Sequence, residues 1–297
     1  MTASPVPGES FHSAALPALF PDAPANVVPP ESTGALFRMQ WREWRAGHGG
    51  VLMVGVAAVA LAGVVSTLTG NFVIVLVVAL VGALALGVVA WQLHGRASEA
   101  FWQGYAHARG LRPAHAHARL TETPLLRKGD KRELEFRLHG RVGGDEVTLA
   151  HYTYTEISRD SEGNRSESDY HFTLAIATLP DACAARFQGV YLRPGGGLSF
   201  GGLQDKLAHD RGVQLESIAF NKRYDLRVMD AQDDIAVFEL FKPHFIERLT
   251  SGSRCQWEQV GATLVVYEDD HISNTAELDA LFAQAADIRQ RYCEERV

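Results

Sequence analysis

Along most of this chain apolar and polar residues alternate on short periods. Between Val51 and Leu93 that alternation stops, and 43 residues pass without a charged side chain. At 1.5 Å per residue a single helix over this block would reach about 64 Å, roughly twice the ~30 Å hydrocarbon core of a bilayer. Split at Thr69-Gly70-Asn71, the block gives Val51–Leu68 and Phe72–Leu93, about 27 Å and 33 Å long, each suited to one crossing. Gly and Asn are turn formers that tolerate positive φ. The pattern therefore predicts a transmembrane helical hairpin with a very short turn. Ala58, Ala62 and Ser66 recur every fourth residue on the first helix, and Ala79, Ala83 and Gly87 do so on the second. Small residues at this spacing let two helices approach closely in lipid.

The rest of the chain has the periods of a soluble domain. SEAFWQGYAHARG continues the second apolar helix and stops at Gly110. ELEFRLHGRV and EVTLAHYTYTEI alternate with period two, RDSEGNRSES reads as a polar loop, and DYHFTLAIATL is a strand ended by Pro180. VQLES and YDLRVM read as two strands around the loop IAFNKR, and TLVVYED as the last strand. DDIAVFELFK is a short helix, and Pro243 opens another turn of helix. In the last helix Leu278, Leu281, Phe282, Ala285, Ile288 and Tyr292 share one face, with Asn274 and Glu277 placed as a cap. Strands followed by helices make the class α+β, with a largely antiparallel sheet and terminal helices.

Composition sharpens these divisions. Seven of the 12 prolines lie in the first 30 residues, so residues 1–35 read as a disordered Pro/Ala-rich segment. Residues 36–50, with Trp41 and Trp44 among arginines, read as a juxtamembrane amphipathic segment. The spans take 51–68 and 72–93, a basic membrane-proximal linker 94–132, and a cytosolic domain 133–297. Residues 94–132 hold 8 basic and 3 acidic side chains, whereas residues 133–297 hold 17 and 28. Basic flanks around an uncharged turn place both termini in the cytoplasm of a bacterial inner membrane. An acidic body argues against a nucleic-acid partner. Three cysteines, Cys183, Cys255 and Cys293, without a CxxC pair fit packing thiols in a reducing compartment rather than a disulfide framework.

Candidate chemistry is sparse. Arg193–Gly202 is glycine-rich but lacks the Lys-Ser/Thr of a phosphate loop. His107, His115 and His117 cluster without a zinc-ligand spacing, and His151 and His171 read as ordinary sheet positions that could face each other across a strand pair. There is no GxSxG and no Cys/His pairing. Asp233-Asp234 suits a helix start and Asp269-Asp270 a turn. Neither span contains an ionisable residue, which argues against a transport pathway. The sequence names no catalytic residue, no metal ligand and no cofactor.

Phe187-Gln188-Gly189, Glu216-Ser217, Phe220-Asn221-Lys222-Arg223-Tyr224 and Pro243-His244-Phe245 resemble an uncharacterised family of bacterial membrane proteins. That resemblance spans residues 95–295. It implies paired N-terminal membrane helices and a cytosolic domain of unknown function, and supplies no activity. Within the motif Phe220 and Tyr224 are expected inside, Asn221 on backbone, and Lys222 and Arg223 outward. Asn221, Lys222 and Arg223 are the binding residues this reading selects. The expected function is a membrane-tethered binding, scaffolding or regulatory module, with the lipid bilayer and a protein partner or homo-oligomer as partners. The competing class is a membrane-anchored enzyme of hydrolase type.

Overall fold

The computed structural model describes residues 19–70, 72–114, 123–159, 161, 163–195, 210–252 and 254–294. The chain divides into two compact units. One comprises Val28–Tyr105 with Ser273–Ala276; the other comprises Met1–Val27, Ala106–Ile272 and Glu277–Val297.

In the first unit, helix α1 covers Thr33–Gly47, with the Ser32 hydroxyl accepting from the Ala35 N–H at 3.1 Å as an N-cap. Its aromatic residues recur at helical spacing, so Phe37, Trp41, Trp44 and His48 stack in sequence with centroids 6.1, 5.4 and 5.2 Å apart. Helix α2 covers Gly49–Thr69 and ends at Gly70, which takes the left-handed conformation at φ 68°. Helix α3 covers Val73–Arg109. The block thus breaks where the turn residues predict. Thr67 and Thr69 return their hydroxyls to the Val64 and Val65 carbonyls, at 2.7 and 2.9 Å, which satisfies them without water.

Among the described residues one helix, α3, is long and apolar enough to cross a membrane; the apolar part of α2, Met53–Thr69, is shorter. The two small-residue rows do not interlock. Ala62 and Ser66 are buried, but Ala58, Ala79, Ala83 and Gly87 are exposed. Residues 28–35, expected to be disordered, are paired: the Thr33 N–H donates to the Ser273 carbonyl at 2.9 Å and the Thr275 N–H to the Glu31 carbonyl at 3.0 Å. Asn274, at the position just before the last helix (Thr275–Cys293), pairs with Ser32 in an isolated bridge.

Among the described residues the second unit holds a nine-stranded antiparallel sheet. Its strands are β1 (Arg112–Pro113), β2 (Lys131–Val142), β3 (Asp145–Arg159), β4 (Arg165–Thr178), β5 (Gly189–Pro194), β6 (Asp210–Val213), β7 (Tyr224–Met229), β8 (Gln256–Val260) and β9 (Thr263–Asp269). Their spatial order is β1-β2-β3-β4-β9-β8-β5-β7-β6. The β3–β4 hairpin is longer than its polar sequence predicts, since Arg159 pairs with Arg165 and half of RDSEGNRSES is strand. Strand β8 went unread because Gln256 and Glu258 break its apolar pattern, yet it lies between β9 and β5 with both residues buried.

Two faces follow from the pleat. On one, Tyr152, Tyr154, Leu174, Val265 and Tyr267 pack with Leu125 and Leu126 of the short helix α4 (Pro124–Arg127). Glu258 sits on that face, accepting from the Leu125 N–H at 2.6 Å and from Arg193 at 2.8 Å, so its buried charge is paired and hydrogen-bonded. On the other, Trp257 meets Phe241 and Phe245, with centroids 6.0 and 6.1 Å away, and donates its Nε1–H to the Tyr292 hydroxyl at 3.1 Å. Phe241 follows α7 (Asp234–Leu240), Phe245 lies on α8 (Pro243–Ser251) and Tyr292 on α9 (Thr275–Cys293); α5 (Asp181–Ala184) and α6 (Ile218–Arg223) are the other short helices that follow β4 in the chain. All six apolar residues predicted for the buried face of α9 are buried.

Three further expectations change. IAFNKR is helix α6, not a loop between strands, because Ser217 accepts from the Phe220 N–H and caps it. Phe20 is buried edge-on against Phe282, with the Arg109 guanidinium over its ring, so this part of the expected disordered segment is ordered. Residues 1–18 lie outside the described set. Cys183 and Cys293 form a disulfide, their Cα atoms 5.2 Å apart, where packing thiols were expected. The pairing joins residues 110 apart in sequence, so spacing alone does not reveal it. Cys255 is buried and free.

Candidate functional site

The three motif residues selected from the sequence lie together on α6. The Asn221 side chain donates to the Leu215 carbonyl at 2.6 Å and accepts from the Leu215 N–H at 3.1 Å. Arg223 spends its guanidinium on the C-terminal end of α8, donating to the Thr250 carbonyl at 2.7 Å and the Gly252 carbonyl at 2.5 Å. Cations there complement the helix dipole and the orphan carbonyls. Lys222 is exposed. Two of the three side chains thus serve the fold. Gly195 is the last described residue of the glycine-rich stretch, and His115 and His117 lie outside the described residues.

A second constellation forms on the helix-covered face of the sheet. Along β3 this face begins apolar, with Val147 and Leu149 buried, and turns polar at His151 and Thr153. Register places Glu135 of β2 directly opposite His151, and Thr173 and His171 of β4 opposite His151 and Thr153. Just beyond Glu135 the β2–β3 register shifts, and Phe136 adopts φ 44°. A β-bulge with a bulky residue at positive φ is a strained, specific device that re-aims side chains. Phe136 meets the His151 ring edge-on at 5.8 Å.

The turn after β9 supplies the remaining member. Asp270 takes φ 68°. Thr173 fixes the turn from beneath, its hydroxyl donating to the Asp270 carbonyl at 2.9 Å and accepting from the Ile272 N–H at 2.8 Å. This lays the His271 ring flat on His151, centroids 4.1 Å apart and planes within 9°. His171 lies edge-on to His271 at 4.8 Å. The Thr153 hydroxyl is 3.0 Å from His171 Nδ1 and 3.3 Å from His271 Nε2.

Burial is the main reason the His151 imidazole is held neutral, with its pKa lowered to about 3; the neighbouring His271 and His171 add to the shift. His271 is lowered too, first by burial and then by His171, against a hydrogen bond to the Tyr152 backbone and the charges of Glu135 and Asp270. Neutral imidazoles beside a carboxylate offer lone pairs to an electrophile, and Glu135, His151 and His271 each bring one donor atom within 4.8 Å of the others. From sequence His151 and His171 read as ordinary sheet positions that could face each other; the register sets His151 against Thr173 and His171 against Thr153 instead. Glu135 and His271 were not visible, because the bulge and the turn that deliver them leave no periodic trace.

No family model matches the chain, and no curated protein matches it. Among solved structures it is similar to the crystal structure of the mycobacterial trehalose monomycolate transport factor A, TtfA, at 10% identity and TM-score 0.44, over 64% of this chain and 93% of that one.

Proposed function

We propose that this protein is a membrane-anchored accessory module, in which apolar helices α2 and α3 tether a sheet domain that binds or positions a partner. The observation behind this reading is the exposure of α3: none of its most apolar 18-residue window is buried. Leu76, Leu80, Leu84 and Trp91 are 66, 64, 70 and 77% exposed on it. Soluble proteins rarely leave a contiguous apolar surface of that extent to water, and lipid is the occupant it fits. At 37 residues α3 is about 55 Å long, so a ~30 Å hydrocarbon core takes its apolar first part and leaves the stretch from His94 outside.

In the finer form of this reading α2 crosses as well, and the pair makes a two-span hairpin turning at Gly70. The ring stack of α1 then lies at the interface, where Trp rings concentrate. The basic flanks favour cytoplasmic placement of both ends. Membrane fractionation with carbonate extraction tests the anchor, and recovery in the soluble fraction would remove it. An alkaline phosphatase fused after Val297 tests the side, with low activity in intact cells expected.

A further inference from the structure

We infer that Glu135, His151 and His271 form a binding site for a divalent transition-metal ion of the zinc class. Two imidazoles and one carboxylate are a donor set such ions take, whereas magnesium and calcium prefer oxygen alone. One donor atom from each residue lies within 4.8 Å of the other two. Ligands of a tetrahedral ion at ~2.0–2.2 Å stand about 3.4 Å apart, and imidazole lone pairs lie in the ring plane, so the set is completed by a contraction of roughly 1.4 Å together with rotation of the His271 ring out of its stack on His151. Glu135 and His271 are only half-buried and have room to make that adjustment.

The outer contacts are those that orient metal-bound histidines. His151 Nε2 faces the Ile272 carbonyl at 3.0 Å. A carbonyl can only accept, so this nitrogen carries the hydrogen and the lone pair resides on Nδ1. On His271, Nε2 stands 3.3 Å from the Thr153 hydroxyl. Ligating histidines characteristically give their second ring nitrogen to a carbonyl or carboxylate, which sets tautomer and orientation. The two outer ligands are also delivered by non-glycine residues at positive φ, Phe136 after Glu135 and Asp270 before His271. Three protein ligands leave a fourth position for water or a ligand, the arrangement of reactive rather than closed structural sites.

The test uses the full-length protein in detergent, stripped with chelator and titrated with Zn²⁺ by calorimetry and with Co²⁺ by visible absorption. One tight ion per chain is expected, with the intense visible bands of low-coordinate Co²⁺. His271→Ala and Glu135→Gln should each weaken binding by at least about tenfold and alter the Co²⁺ spectrum, since even residues behind the ligands are worth 10–100-fold. His151→Ala should abolish the site but is deeply buried, so the two half-buried variants, checked for unchanged apo melting temperature, decide the matter. His139→Ala, outside the cluster, should bind as the parent does. Parental affinity and spectrum in folded His271→Ala and Glu135→Gln would overturn the assignment, as would no binding by the parent.

Discussion

Leu80 and Leu149 are the same residue doing opposite work. Leu80, on α3, is 64% exposed, while Leu149, on β3, is fully buried. The same contrast separates the two units. One turns its leucines and valines outward along α2 and α3. The other folds them between a sheet and its helices, and buries polar groups such as Glu258 and Thr173 with hydrogen-bond partners. The lesson concerns solvent. In the sheet unit the driving force is removal of apolar surface from water, about 25 cal/mol per Å². On α3 that surface stays uncovered, and it is stable only where the surroundings are themselves apolar. A mean hydropathy of −0.06 averages these two designs and describes neither.

The contrast breaks first if the sheet core is not a core. Phe220 is fully buried against Tyr224 and Phe241, with centroids 5.3 and 5.5 Å away. Phe220→Ala should cost about 3–5 kcal/mol in urea denaturation and leave the membrane-bound fraction unchanged. A loss below ~1 kcal/mol would mean the site is solvated.

Next in size is the cross-link between Cys183 and Cys293. Cys293→Ser should cost about 2–4 kcal/mol, and reductant should lower the parent's melting temperature to match. Disulfides persist in oxidising compartments, so the same pair reports on topology. With the body in the cytoplasm, rapid alkylation of intact cells should trap both thiols reduced; a bond recovered intact would place the sheet unit on the other side.

Leu80→Arg probes the anchor. A mid-span arginine costs roughly 2.5–3.5 kcal/mol of insertion free energy. Carbonate-resistant protein should fall sharply, while the urea midpoint of the sheet unit stays within error. An unchanged membrane fraction would mean that α3 does not span.

What could be read beforehand divides along the same line. The apolar block and its break at Gly70 were legible because 43 uncharged residues interrupted by turn formers stand out in composition alone. The strands β2, β3, β4, β7 and β9 and the buried face of α9 were legible from periodicity. Strand β8 was not, since its buried Glu258 is stabilised by Leu125 and Arg193, which are 133 and 65 residues away. Helix α6 was hidden by β-forming neighbours, and only the Ser217 cap marks its start. The exposed row on α3 shows the limit of spacing arguments, for Ala79, Ala83 and Gly87 have the right interval and are exposed. The histidine cluster depended on one β-bulge and one turn, neither of which a periodic pattern encodes.

The smallest effect bears on how much polarity the sheet unit tolerates. Glu268, on β9, has its pKa raised to about 7, first by burial and then by the charges of Asp269 and Glu277. The folded state therefore holds a proton on Glu268 that the unfolded chain releases near pH 4.5. Between those values the folded state binds more protons, so stability falls as pH rises, and above pH 7 the whole cost is present. Glu268→Gln removes the titration. Because the residue is partly exposed, the full shift overstates the gain, and about 1 kcal/mol is expected at pH 8. At pH 4 the carboxyl is mostly protonated in both states and the variant should nearly match the parent. Other carboxylates and the histidines titrate in both proteins, so their contributions cancel in the difference. Urea denaturation of the two proteins at pH 4 and pH 8 reads this directly. A difference independent of pH would show that water reaches Glu268, and that this end of the central strand β9 is less closed than the aromatic faces beside it.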